Sequence, residues 1–196
     1  MTSFALKIIA LITMFCDHFG DAFLGHFSIF NLIGRFAFPI FAFQISEGYI
    51  HTKNLKKYLY RLAVFTIIAQ IPFYLFCQKF FNTTTLSINV FLTLFIGLTG
   101  IYFYDYTIKF FKRKSESIQN EKLLLFIPYL NKFIGIVIVI LLASMSEALN
   151  TDYGFWGVIV VFMFYAFKGK KLLTTVAFFI LCIIKYLSPF IQSNFN

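Results

Sequence analysis

Apolar runs separated by short clusters of lysine and arginine leave a chain few ways to fold. An α-helix rises about 1.5 Å per residue, so runs near twenty residues match the hydrocarbon thickness of a bilayer. Such runs fall at about residues 4–24, 29–49, 58–76, 88–104, 133–145, 153–167 and 172–189. The fifth is short but can borrow from the apolar stretch 123–130 before it. The pattern predicts an all-α, polytopic integral membrane protein of about seven transmembrane helices, six to eight at the limits, forming one domain over residues 1–196.

Composition agrees. Hydrophobic residues make up 60% of the 196 and charged residues 13%, and the mean hydropathy is +0.81, outside the range of soluble domains. A net charge of +9 would otherwise suggest nucleic acid, but most cations lie between the runs, where they set helix orientation. The excess sits in the second, fourth and sixth connections. This alternation puts the N-terminus and the basic connections in the cytoplasm. The start carries no basic n-region or clear cleavage site, so the first run is expected to stay as an anchor. Cys16, Cys77 and Cys182 lie in or beside different runs with no CxxC pair, and are expected to be free thiols. The three histidines are far apart, and no metal-ligand cluster is visible. The loop at 78–87 carries a sequon-like Asn82-Thr83-Thr84, and 109–132 reads as the longest and most basic loop.

Polar residues inside the apolar runs are few and therefore informative. An ionisable group at membrane depth costs about 2.5–3.5 kcal/mol on insertion scales unless it faces protein or trapped water. Arg35, in Gly34-Arg35-Phe36-Ala37-Phe38-Pro39, asks for a partner, and the nearest in sequence are Asp17, His18, Asp21 and Glu47. Lys7, Leu11, Met14, His18 and Asp21 follow helical spacing along one stripe. Lys7 then lies roughly 16 Å from His18 on the same face. Asp21 is one turn from His18 and can reach it, whereas Asp17 points elsewhere. Antiparallel neighbours put His18 and Arg35 level, each roughly 9 Å deep. Gln70, Asn89, Glu147 and Asp152 fall toward the same, outer third. Lys7 and Glu47 fall near the opposite end, so the polar groups make a column across the membrane.

A histidine beside a carboxylate, facing an arginine at equal depth, can serve as a general base. The arginine can stabilise negative charge on an acyl oxygen in a site from which lipid and protein exclude water. That constellation suits acyl transfer, with His18, Asp17, Asp21 and Arg35 as the catalytic candidates. The same residues could simply pair to hold two helices together. Lys7 could snorkel to the interface, and Asp152 could cap the sixth helix.

Several segments carry a resemblance to a known family. They are Leu6-Lys7-Ile8-Ile9-Ala10, Met14-Phe15-Cys16-Asp17-His18, Ile33 through Phe43, Glu47 through Asn54, Tyr58-Leu59-Tyr60-Arg61-Leu62, Gln70-Ile71-Pro72-Phe73, Asn89 through Leu94, and Thr151 through Val158. Over nearly its whole length the chain resembles the TraX family. The resemblance implies a bacterial inner-membrane protein related to conjugative-pilin N-acetylases, which pass acetyl from acetyl-CoA to a pilin amino terminus. It also extends to membrane acyltransferases that O-acylate envelope polysaccharides. Their first helix carries a basic residue, ten intervening positions and a histidine, as Lys7 and His18 do here. Phe41 through Gly48 is a looser match to their FFxxSG-like motif, with Glu47 inserted.

The resemblance thus implies acetyl-CoA as donor co-substrate, no metal, and an acceptor presented outside, either the amine of a peptide or pilin or a hydroxyl of a glycan. Lys7, Glu47, Lys53, Lys57 and Arg61 are the candidates for binding CoA, and Gln70, Asn89, Asp152 and Tyr153 for binding acceptor. The expected partners are the lipid bilayer, acetyl-CoA and that acceptor, without nucleic acid. The rival is a small transporter or channel that conducts a proton or solute through the polar column. The lack of internal similarity between the halves argues against it.

Overall fold

The computed structural model describes residues 2–24, 28–81, 87–115 and 121–194. Those residues are almost wholly helical. Helix α1 (Ser3–Phe19) runs into a π-helical turn at Gly20–Leu24, and α2 (Ile29–Gly34) and α3 (Ala37–His51) together make the second crossing. Next come α4 (Leu55–Phe81), α5 (Val90–Ser115), α6 (Glu121–Ala148), α7 (Gly154–Ala166) and α8 (Lys171–Asn194). Among the described residues five helical stretches are long and apolar enough to cross a membrane, and α7 is a shorter apolar helix. The sequon-like 82–84 lies outside the described residues.

Helix starts follow local chemistry. The Thr2 hydroxyl accepts from the Ala5 amide at 3.2 Å, Asn54 Oδ1 from Lys57 at 3.0 Å, and Asn89 Oδ1 from Phe91 at 3.0 Å. Each satisfies an amide that the first helical turn leaves over.

The expected long loop at 109–132 is not there. Helix α5 continues to Ser115 and α6 begins at Glu121, which leaves only 116–120 outside. Lys112, Arg113 and Lys114 fall in the last turn of α5, where cations favour the negative end of the helix dipole. Pro128 is accommodated inside α6, so the fifth run does borrow from the stretch before it. The second run, expected as one helix, is broken at Arg35–Phe36.

The core forms where α3, α5 and α7 meet. Leu98, Ile101 and Val161 are each 0% exposed, and Phe38, Ala42, Leu94 and Met163 pack with them. Helix α6 lies against α5 and α7, α4 against α5, α8 against α7, and α1 against α2 and α3. The apolar centre interrupts the polar column expected from sequence. The charged side chains lie toward the two ends of the bundle, and apolar side chains pack between them.

Candidate active site

At one end of the bundle the chain places three carboxylates around one imidazole. Asp17 and His18 come from the last turn of α1 and Asp21 from the π-helical turn. Asp152 comes from the connection between α6 and α7. All four line a cavity of about 290 Å³, closed on the α4 side by Phe73, Phe76 and Cys77. The His18 ring packs on Phe76, with centroids 4.9 Å apart. Asp17 does not point elsewhere: it shares this cavity with His18 and Asp21.

Asn31 organises the two α1-side carboxylates. It is 5% exposed, and its Nδ2 donates to Asp21 Oδ1 at 2.8 Å, to the Asp17 carbonyl at 3.2 Å and to Asp17 Oδ1 at 3.4 Å. Its own Oδ1 accepts from the Ser28 hydroxyl at 2.6 Å and from the Ser28 amide at 3.2 Å. Glycine permits this approach, since a β-carbon on Gly20 would stand 2.6 Å from Ser28 Oγ. Helical spacing alone does not single out Asn31. The signal available was an amide near the start of an apolar run, opposite two aspartates.

The backbone of Asp152 is tied to the start of α5. The Ile88 amide donates to the Asn150 carbonyl at 3.1 Å, and the Asp152 amide donates to the Ile88 carbonyl at 2.9 Å. This short parallel bridge ties the start of α5 to the α6–α7 connection. The neighbouring Thr151 hydroxyl accepts from Thr93 Oγ1 at 3.0 Å and lies 2.7 Å from Ser146 Oγ, all within the buried interior. Asn150 and Gly154 take up the turn with φ of 53° and 49°. Asp152 as a residue is exposed toward the cavity, while protein crowds its carboxyl group. That burial comes first, and the charge of Asp17 second, in pushing its pKa up to about 6. Lys185 opposes the rise and Asp21 adds to it.

Arg35 opens into a second cavity, of about 240 Å³, which His18 does not line. The expected direct meeting of His18 and Arg35 is replaced by an indirect one, with Asp17 in Coulombic reach of both. The helix is interrupted at Arg35–Phe36, and α3 beyond it packs against α7. Tyr153 is the residue common to both cavities. Its ring stacks on Phe38 at 3.8 Å and 12°, and Lys185 Nζ lies 5.3 Å from its centroid. Lys185 is a lone lysine in the last apolar run, and nothing in its sequence neighbourhood marks it.

The other candidate residues lie apart from the cavities. Gln70 Nε2 donates to the Ser87 carbonyl at 3.0 Å. Its Oε1 accepts from the Asn89 amide at 3.0 Å and from Asn89 Nδ2 at 2.8 Å. Asn89 Nδ2 also donates to the Thr66 carbonyl at 2.8 Å. These two side chains pin α4 to the start of α5. Glu47 lies 3.3 Å from His51 Nε2, one turn along α3. Lys7, Lys53, Lys57 and Arg61 are exposed, at the end opposite the cavities. Ser46 is buried and its hydroxyl has no hydrogen-bond partner. Among the described residues no His, Cys, Asp and Glu group could hold a metal ion, and the three cysteines are free.

Apolar helices packed around an apolar centre, with ionisable groups at both ends, define a multi-pass α-helical membrane protein. The TraX protein family model matches residues 3–195, and the chain belongs to that family. A probable fimbrial assembly protein FimC, serogroup H1, of Dichelobacter nodosus is 36% identical over 95 residues, covering 46% of this chain and 38% of that protein. An uncharacterised protein of Rickettsia prowazekii (strain Madrid E) is 27% identical over 149 residues, covering 76% of this chain and 49% of that protein. The chain thus aligns with half or less of the length of these curated relatives. No solved structure matches it.

Proposed function

We propose that this protein is an acyltransferase that moves acetyl from acetyl-CoA to the amino group of a peptide, with the basic end of the bundle in the cytoplasm of a bacterial inner membrane. The observation that carries the reading is the set Asp17, Asp21 and Asp152 around His18 in one cavity. Three carboxylates favour a cationic ligand, and an amino terminus arrives as an ammonium. A hydroxyl acceptor has no such charge to offer, so the amine is preferred over a glycan. The printed name of the Dichelobacter relative, a fimbrial assembly protein, and the TraX family match support a pilin-like acceptor.

In this reading the carboxylates hold the ammonium and His18 takes its proton. The freed amine then attacks the thioester carbonyl, a C–N bond forms, and the C–S bond breaks as the tetrahedral adduct collapses. The nitrogen of the adduct gives its remaining extra proton to one of the cavity carboxylates, and the proton held on His18 leaves with the thiolate. Arg35 and Lys185, on the other side of Tyr153, contribute positive potential as the carbonyl oxygen becomes negative. The donor approaches along the stripe from Lys7 to His18 on α1, roughly 16 Å and outside the packed centre. The Lys53, Lys57 and Arg61 group meets its phosphates.

A channel or transporter would need a continuous polar path. Leu98, Ile101 and Val161, fully buried in the middle of the bundle, interrupt such a path through the described core, and in the enzyme reading the donor reaches His18 along α1 outside it.

The test is transfer of labelled acetyl from acetyl-CoA to a peptide with a free amino terminus, using the purified full chain in nanodiscs. His18→Ala should lower the rate about a hundred- to ten-thousand-fold, and blocking the peptide's amino terminus should abolish labelling. A wild-type protein that leaves the peptide unlabelled, or a His18→Ala variant as active as wild type, overturns the reading.

A further inference from the structure

The two cavities that meet at Tyr153 carry opposite charge. Among the described residues the first is lined by Asp17, Asp21 and Asp152 and by no lysine or arginine. Among them the second is lined by Arg35 and Lys185 and by no carboxylate. Asp17 is in Coulombic reach of Arg35 and Asp152 of Lys185, yet both carboxylates open into the first cavity. Both charged side chains in the described wall of the second cavity are therefore cations.

The rest of that wall is apolar, formed by Phe36, Trp156, Val160 and Phe178 among others. It continues onto the outside of the bundle, because Leu32 and Phe36, which line it, are 64% and 63% exposed. On a membrane helix such exposure faces lipid. Arg35 lies six residues into the second crossing, roughly 9 Å from its start. Lys185 lies fourteen residues into α8, roughly 21 Å from the basic end, and so roughly 9 Å below the opposite face of a 30 Å core. At that depth both side chains can snorkel toward the head groups.

We infer that the second cavity is a binding site for an anionic phospholipid of the surrounding leaflet. Its phosphate is held between Arg35 and Lys185, and the first part of an acyl chain lies against Phe36, Trp156 and Phe178. About 240 Å³ accommodates a head group and a short length of chain, while the remaining chain stays in the bilayer through the opening at Leu32 and Phe36. A phosphate diester matches a guanidinium in geometry and charge. A zwitterionic lipid brings its own cation and gains less. The site stands on its own lining and does not depend on acetyl transfer.

The experiment measures the thermal unfolding midpoint of the full chain in neutral detergent with phosphatidylglycerol, phosphatidylcholine or inorganic phosphate added. Phosphatidylglycerol should raise the midpoint by roughly 5–10 °C at a hundredfold excess over its Kd, and the other two should not. Lys185→Gln should lose that rise and Lys185→Arg should keep it, while Trp156→Ala should shrink it. The lipid-free midpoint of each variant reports folding separately, and native mass spectrometry counts the lipids retained. Equal rises with both lipids, the full rise in Lys185→Gln, or the same rise with inorganic phosphate alone would each overturn the assignment.

Discussion

Gly34 lies so close to Asp17 that a β-carbon on it would stand 2.2 Å from the aspartate's own. The second crossing can approach the first only because this position has no side chain, and that approach brings Asn31 within reach of Asp17 and Asp21.

Gly34→Ala should therefore push α2 away from α1. An overpacked interface costs about 1–3 kcal/mol, which for a chain of this size corresponds to a midpoint lower by roughly 3–10 °C. Thermal unfolding in detergent measures it. A variant that melts with wild type would mean that the helices can part without cost.

The spans were legible because the solvent is lipid. Hydrocarbon demands long apolar helices, so the runs can be counted, and the family could be read from Met14 through His18 and Ile33 through Phe43. The polar end was partly legible: Asp17, His18, Asp21, Arg35, Asp152 and Tyr153 all came forward, since polar residues in apolar runs are conspicuous. Their grouping was not. Which cavity Arg35 enters depends on a helix break of two residues, and helical spacing carried through that break points it at His18. Gln70 and Asn89 stood out for the same reason as the cavity residues, but their amides satisfy the backbone at the start of α5. Asn31 and Lys185 carry chemistry only through partners far away in sequence.

Asp152 makes the acidic end sensitive to pH. Its native pKa of about 6 lies above the ordinary value of 3.8, chiefly through burial and then through the charge of Asp17. Because the native pKa is the higher, the group's contribution to stability is complete below about pH 4 and is lost as pH rises through about 6. Asp152→Asn does not ionise. Its midpoint relative to wild type should climb between about pH 4 and 7 and then level off. Asp17, His18, Asp21, Cys77 and Lys185 remain in both proteins, so the difference between the two curves reports Asp152 together with its coupling to Asp17. Parallel curves across that range would contradict the assignment.

Glu147 secures the start of α7 from the end of α6. Its Oε2 accepts the Phe155 amide at 2.7 Å, in place of a capping side chain on Tyr153. Gly154, at φ of 49°, would carry a β-carbon 2.1 Å from that same oxygen. Glu147→Ala should cost about 0.5–2 kcal/mol, as the loss of a helix cap does. Gly154→Ala should cost more, since it adds backbone strain to the collision. Unfolding midpoints of the two variants give the order directly, and the reverse order would show that the turn adapts.

At the basic end a carboxylate joins three helices. Tyr49 of α3 donates to Asp105 Oδ2 at 2.9 Å, and Tyr165 of α7 donates to Oδ1 of the same residue. The rings of the two tyrosines meet edge to face at 5.5 Å. Ending the fourth run at Tyr104 hid this cluster, which appears only once α5 continues toward Ser115. A hydrogen bond to a charged group contributes about 1.5–3 kcal/mol, and removing one partner leaves the other without its bond. Tyr49→Phe and Tyr165→Phe should each destabilise by about that amount, and Asp105→Leu alone should be worse, because two hydroxyls lose their acceptor together. Adding both phenylalanines to Asp105→Leu removes every polar group of the cluster and should restore part of the loss, as apolar replacement of buried polar sets does. Unfolding of the four variants in one detergent decides the matter. A triple variant no more stable than Asp105→Leu would show that the tyrosine hydroxyls find other partners and that the carboxylate is not what draws α3 and α7 onto α5.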